Sequence, residues 1–271
     1  MNFDEQIAIE RARENKVVKD NKLIQTVTRN RYSLTAVEQK MIGFIVSMIK
    51  PPEEPGAAAE CTYVFDIPVF CKVCGIDYTS GGNYKYIKEA LDKLAANSFW
   101  IRNNGKQLRF QWITTPEINE NSGKIEIEIP RKIIPYLYDL KEKFTSYELY
   151  QILALKSSYS IRLYELLASY EFTKKHTFEI DEIKNLLQCP YKDYKDFRRY
   201  ALEPAIKEIN EYTNLEATWE AKTRGRKVVA IEFRMKRKKQ LESYEAYRKT
   251  MAELNGVKHQ NGQLNLFEFM E

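Results

Sequence analysis

The chain has 271 residues, 44% of them hydrophobic and 13% aromatic, with 10 Gly and 9 Pro. That composition suits one large folded domain or two ordinary ones and excludes the fibrous and disordered classes. No run approaches the ~18 consecutive apolar residues of a membrane helix. The opening MNFDEQIAIERARENK also lacks a secretion signal's apolar core, so a cytoplasmic protein with no membrane partner is expected.

Residues 1–24 are read as an N-terminal arm. In SLTAVEQKMIGFIVSMIK, Thr35 and Glu38 have capping-box spacing and Pro51-Pro52 closes the helix, after which KPPEEPGAAAE is a loop. TYVFDIPVFCKVCGID then reads as a strand and a short helix, with Pro68 in the first turn and Gly75 at the end. Val69, Phe70 and Val73 lie on its apolar side. Cys71 and Cys74 form a C-x-x-C, but the other zinc-ligand types (Cys61, Cys189, His176, His259) are scattered, so both cysteines are read as small buried hydrophobes. A longer helix follows over about 84–97, then a hairpin turning at Asn104-Gly105, where Leu108, Phe110 and Trp112 alternate as in a half-buried strand. KIEIEIP and RKIIPYLYDLKEKF finish this part.

The second half repeats the first. After YELYQILALK and a helical SSYSIRLYELLASYE, the run KHTFEIDEIKNLLQCP matches the earlier strand and short helix, with Asp181 as the expected N-cap and Pro190 as the stop. Phe65 and Ile67 correspond to Phe178 and Ile180. Ile87, Ala90, Leu91 and Leu94 correspond to Leu202, Ala205, Ile206 and Ile209 in a second long helix at 197–212, where Pro204 predicts a kink or a late start. A turn at 223–226 then forms a hairpin in which Val229, Ile231, Phe233 and Met235 alternate.

Helix, strand, helix, helix, hairpin is the order of a winged helix. The expected fold is therefore α+β: two tandem winged-helix domains, at 25–145 and 146–241, and a flexible C-terminal tail at 242–271. A helix-turn-helix sets the start of its second helix against base edges in the major groove. In the second domain this singles out Lys195, Arg198 and Arg199, with Thr223, Arg224, Arg226 and Lys227 at the wing, where Gly225 permits a tight tip. In the first domain it singles out Asn83, Tyr84, Lys85, Tyr86 and Lys88, with Arg102, Lys106 and Arg109 on the wing. The formal net charge is only +5, but 222–239 carries nine basic residues against one acid, Glu232. There is no G-x-x-x-x-G-K-[ST] and no catalytic constellation, so a protein without catalytic residues, cofactor or metal is expected.

These segments resemble the winged-helix replication initiators of iteron-containing plasmids. KLIQTVTRNRYSLTAVEQKMI, LKSSYSIRLYELLASY and FRRYALEPAIKEINEYTNLEATWEAKTRGRKVVAIEF carry the resemblance. It implies binding to direct repeats of double-stranded DNA at an origin, help in opening nearby DNA, recruitment of host initiator and replicative helicase, and autorepression as a dimer in equilibrium with the monomer. It puts Arg198 and Arg199 on the DNA-reading helix and 224–227 on the wing. A transcriptional repressor of the same tandem fold is the alternative. Near the end, Gln263, Leu264, Asn265, Leu266 and Phe267 resemble the motif by which bacterial replication proteins bind the polymerase sliding clamp, with Asn265 where Ser or Asp is more usual.

Overall fold

The computed structural model describes residues 3–25, 34–50, 60–76, 81–103, 106–119, 121–138 and 140–256, the side chains of 3, 81–84, 102 and 103 excepted. Helix α1 (Phe3–Glu14), strand β1 (Lys16–Asp20) and helix α2 (Asn21–Gln25) occupy the stretch expected as an arm. Val17, Leu23 and Ile24 are buried there, so the segment is built into the body of the protein. Helix α3 (Ala36–Met48) begins at the expected capping box: the Glu38 N–H donates to Thr35 Oγ1 at 3.2 Å, and the Thr35 N–H to Glu38 Oε2 at 3.0 Å.

Strand β2 (Thr62–Asp66), helix α4 (Ile67–Cys74) and helix α5 (Gly81–Ala96) follow in the expected order. Phe44 of α3 meets Phe65 and Phe70 edge-on, each at 5.3 Å between ring centroids, which closes the core of the first domain. Phe70 and Val73 are buried while Val69 is 37% exposed, so the apolar side of α4 is narrower than the sequence pattern implies. Burial pushes the Cys71 thiol up to about 11 and the Cys74 thiol up to about 12, a setting for packed hydrophobes rather than thiolate ligands.

Strands β3 (Ser98–Asn103) and β4 (Lys106–Gln111) pair with Asn103 opposite Lys106, which leaves two residues for the turn. The Asn104-Gly105 turn itself lies outside the described residues. Strands β5 (Thr114–Asn119) and β6 (Lys124–Glu128) make a second hairpin, and β2 joins it with Phe65 opposite Ile125. The first wing is thus a separate two-stranded ribbon. KIEIEIP, read as a finishing segment, supplies the central strand of the three-stranded sheet.

Strand β7 (Phe144–Glu148) returns to pair with β1, Val17 opposite Tyr147. After α6 (Tyr150–Leu153) come α7 (Ser158–Ser169), β8 (Lys175–Glu179) and α8 (Ile180–Leu186). The N-cap of α8 is Glu179, not Asp181. Asp181 lies within the first turn, where a carboxylate favours the helix dipole. The second long helix runs as α9 (Tyr194–Phe197), a π-helical segment (Arg198–Leu202) and α10 (Glu203–Tyr212). Strands β9 (Leu215–Arg224) and β10 (Lys227–Arg237) form the second wing, with β8 on the far side of β10. All eight matched positions of the two long helices, Ile87, Ala90, Leu91, Leu94, Leu202, Ala205, Ile206 and Ile209, are buried. The tail expected from 242 begins instead as helix α11 (Gln240–Leu254), with Ala246, Thr250 and Leu254 buried.

One buried charge cluster ties these parts together. Glu165 of α7, 5% exposed, pairs with Lys19 of β1 at 2.6 Å and accepts a hydrogen bond from the Tyr147 hydroxyl of β7. Burial pulls the Glu165 carboxyl up. The Lys19 charge and the hydrogen bonds from Lys19 and Tyr147 outweigh that, and hold it below the ordinary carboxylate range. Its contribution to stability is therefore present above the unfolded-state pKa and disappears as pH falls through the folded value. Lys19→Met should strand the buried carboxylate and lower unfolding free energy by about 3 kcal/mol, measured by urea denaturation near neutral pH. The double replacement Lys19→Met, Glu165→Leu should recover most of that loss. An unchanged midpoint for Lys19→Met would show that the pair contributes nothing.

Candidate nucleic-acid interface

The second reading helix is anchored by its inner face. Phe197, Leu202, Ala205 and Ile209 are fully buried, and the Lys184 ammonium lies 5.8 Å from the centre of the Phe197 ring while donating to the Lys192 carbonyl at 2.6 Å. With that face fixed, Lys195, Arg198, Arg199 and Tyr200 are exposed on the other. Arg198 Nε lies 3.4 Å from Glu203, both side chains 49% exposed, a geometry that weakly orients the guanidinium. Arg199 stacks over Tyr200 at 5.3 Å, and Tyr200 faces Tyr191 at 5.6 Å. The helix start therefore presents three cations, one of them, Arg199, over an aromatic ring, a combination suited to phosphates, guanine edges and stacked bases.

At the wing, Arg224 stands opposite Lys227, and Gly225 turns the chain at φ 61° with nothing within 4 Å of an added Cβ. Arg224, Arg226 and Lys227 are all exposed, and among the described residues none of their side chains has a hydrogen bond or ion pair. The rest of the basic run is different. Glu232, 7% exposed, takes Arg234 at 3.0 Å, Lys222 at 3.7 Å and Lys175 at 3.5 Å. The hydrogen bond from Arg234 leads in holding its carboxyl below the usual range, burial opposes, and the Lys175 and Lys222 charges add to the lowering. Lys236 pairs with Glu216 at 3.1 Å and Arg237 with Glu171 at 2.6 Å. Lys238 donates to the Thr213 carbonyl at 2.8 Å and also to that of Asn210. Internal partners thus take up the strands of the hairpin, and its uncommitted charge gathers at the tip, with Lys239 exposed beyond the last strand.

In the first domain Asn83 and Tyr84 lie in α5 and Arg102 in β3, but their side chains are outside the described ones. Lys85, Lys88 and Lys106 are exposed, with Lys85 3.9 Å from Glu89 one turn on. Arg109 donates to Ser98 Oγ at 2.6 Å across the ribbon. A residue that sequence reasoning passed over is Trp100, 45% exposed and opposite Arg109. Its signal was present: Phe99 and Ile101 are the buried pair of an alternating strand, so Trp100 must face outward.

A tandem winged helix with a cationic reading helix and wing defines a class of DNA-binding proteins, and comparison with known proteins specifies which. Residues 16–168 match the family described as initiator replication protein, first winged-helix domain, and 179–235 match the initiator Rep protein second winged-helix domain. The chain belongs to this family of replication initiators. It is 28% identical over 240 residues to a replication initiation protein of Escherichia coli, covering 84% of this chain and 73% of that protein. It is 29% identical over 164 residues to the PI protein of Escherichia coli, covering 53% and 54% of the two. The crystal structure of Pi initiator protein in complex with iteron DNA superimposes with a TM-score of 0.68 at 23% identity, over 84% of this chain and 99% of that one. Among the described residues no helix is long and apolar enough to cross a membrane.

The uneven charge pairing gives a quantitative expectation. Replacing Arg224 and Arg226 with Ala should flatten log K against log salt by about 0.9 for each phosphate no longer neutralised, measured by fluorescence anisotropy on a duplex over roughly 50–200 mM salt. Lys236→Ala, whose ammonium already has Glu216, should flatten it less. Equal slopes for the two variants would deny the tip any special share in phosphate binding.

Proposed function

We propose that this initiator binds direct repeats, iterons, at a plasmid origin, helps open the adjacent duplex, and recruits the host initiator and replicative helicase. In this reading it also represses its own gene as a dimer, in equilibrium with the monomer. The observation that supports repeat binding best is the pairing of two exposed cationic elements. Lys195, Arg198 and Arg199 at the start of the reading helix and Arg224, Arg226 and Lys227 at the wing tip belong to one winged helix. A helix in the major groove and a wing on the backbone is the division of labour this shape performs. That a protein of the same fold was crystallised with iteron DNA supports the reading. Lys85, Lys88 and Lys106 would serve the first domain in the same way, together with Asn83, Tyr84 and Arg102.

Footprinting on DNA flanking the gene tests the proposal. Several tandem direct repeats should be protected, whereas one inverted repeat would favour the repressor alternative. On the protected repeat, Arg198→Ala or Arg199→Ala should each cost about 1–3 kcal/mol, and less on random duplex, because a guanidinium fork matches the two acceptors of guanine. Equal losses on both duplexes would take these residues off the base edges.

The C-terminal motif carries a second partner, the polymerase sliding clamp. Gln263, Leu264, Leu266 and Phe267 lie outside the described residues, and the proposal rests on sequence. An extended segment can set the two leucines and Phe267 into an apolar groove while the Gln263 amide bonds its rim. Burial of each such side chain gives about 1.5–3 kcal/mol, enough for binding near the micromolar range after ordering costs. A peptide spanning 259–271 should bind purified clamp in a calorimetric titration, and a Leu266→Ala, Phe267→Ala version should not. Equal behaviour of the two peptides would remove the clamp as a partner.

A further inference from the structure

Arg13 is a fully enclosed guanidinium, 2% exposed, on a helix that no part of the DNA reading uses. Its Nε donates to the Val73 carbonyl at 3.0 Å and one Nη to the Lys72 carbonyl at 2.8 Å. Those are carbonyls of the last turn of α4, at its negative dipole end, and the Lys72 carbonyl also accepts from the Gly75 N–H at 3.3 Å. The other Nη donates to Asn255 Oδ1 at 2.9 Å, just past the end of α11. One side chain therefore closes a three-way junction of α1, α4 and α11.

The junction is tight. Gly75, the C-cap of α4 at φ 66°, lies so close to α11 that an added Cβ would stand 2.8 Å from Leu254 Cδ2 and 3.1 Å from Leu254 Cα. Elsewhere α11 grips the second winged helix and its lead-in. Thr250 Oγ1 donates to the carbonyl of Tyr212, the last residue of α10, at 2.7 Å. Lys156 pairs with Glu253 at 2.7 Å, and the Tyr150 and Tyr247 rings meet edge-on at 5.0 Å. Helix α11 thus spans from the end of the second reading helix to the end of α4, the helix that leads into the first.

We infer that α11, locked by Arg13, is a spacer that fixes the separation of the two reading helices, so that the protein selects the length of a repeat as well as its sequence. The inference rests on the proposed binding of direct repeats and adds that both winged helices engage one repeat. Two modules on a rigid joint gain avidity when both sites fall in register and lose it when the geometry forbids simultaneous engagement. One inserted base pair moves the second site by roughly 3.4 Å and turns it by about 34°, which a locked joint cannot follow and a loose one can. Arg13 is in this sense a positioning residue, remote from the DNA.

The test uses the full chain and four duplexes: the repeat protected in the footprint, the same repeat with one or two base pairs inserted between its halves, and the half bound by the second domain alone. Wild type should lose at least about tenfold in affinity on the first insertion. Arg13→Ala should bind the intact repeat about tenfold more weakly yet be nearly indifferent to the insertions. Its affinity for the half-site should stay at the wild-type value, which a general loss of folding would not allow. Arg13→Lys, which keeps charge but not the fork, should fall between. Asn255→Ala removes one bond while leaving α1 on α4, and should make the spacing profile shallower in the same direction. A wild-type spacing profile in both Arg13→Ala and Asn255→Ala, or a parallel loss on every duplex including the half-site, would overturn the inference. A wild-type chain that binds random duplex as tightly as the repeat would overturn the repeat-binding reading itself, and the spacer with it.

Discussion

A carboxylate removed from water must be matched by its surroundings, and Glu165 is matched by residues from two other elements. Lys19 comes from β1 and Tyr147 from β7, the two strands of a ribbon that would be marginal alone. Trp112, just past the first wing, lies with its ring centre 5.6 Å from the Lys19 ammonium, so the same cluster reaches that wing as well. Because Glu165 belongs to α7, the lead helix of the second copy, the charge match seats the ribbon between the two winged helices. The exposed cations on either domain are displayed by a body whose halves meet at this point.

The same rule, that charge finds a partner when the fold brings one near, sorts the basic run of the second domain. Counted along the chain, 222–239 has nine cations and one acid. In space, Glu171 and Glu216 come from other segments to Arg237 and Lys236, Glu220 of the same strand pairs with Lys222, and Glu232 gathers Lys175, Lys222 and Arg234. What is left on the hairpin is a compact group at Arg224, Arg226 and Lys227, and Lys239 lies exposed beyond it. A charge count therefore found the right element and overstated its field. The correction depends on cross-strand register, such as Lys236 opposite Glu216, which no local pattern reports.

Legibility followed the range of the interaction. The capping box at Thr35 and Glu38, the stop at Gly75 and the buried stripe of each long helix involve neighbours within a turn or two, and all were readable from spacing. The pairing of β2 with β6 was not, because Phe65 and Ile125 meet only after the whole first reading helix and wing have intervened. The arm and α11 failed for another reason. Each is rich in charge, and α11 buries only Ala246, Thr250 and Leu254, a stripe too thin to separate from a solvated tail. Arg13 reads as one more surface charge until its partners on α4 and α11 are assembled around it. At the candidate interface the outward face of Trp100 follows from strand alternation, whereas the contacts of Tyr200 with Arg199 and Tyr191 emerge only from geometry.

Pro204 shows how a local conflict can serve a site. Proline lacks an N–H and crowds the carbonyl four residues earlier, so a regular helix through this stretch would be broken or kinked. Here the helix widens instead: the Glu203 N–H reaches back five residues to the Arg198 carbonyl, and Arg198–Leu202 run as a π-helical segment. The extra residue per turn changes which side chains share a face. Within this segment Arg198, Arg199 and Tyr200 are exposed, and Ala201 and Leu202 are buried. Two adjacent arginines and a tyrosine face outward together there, while Phe197 and Leu202 on either side keep the helix seated on its core. The stretch that Pro204 bars from regular helix is thus also the one that presents Arg198, Arg199 and Tyr200 to solvent.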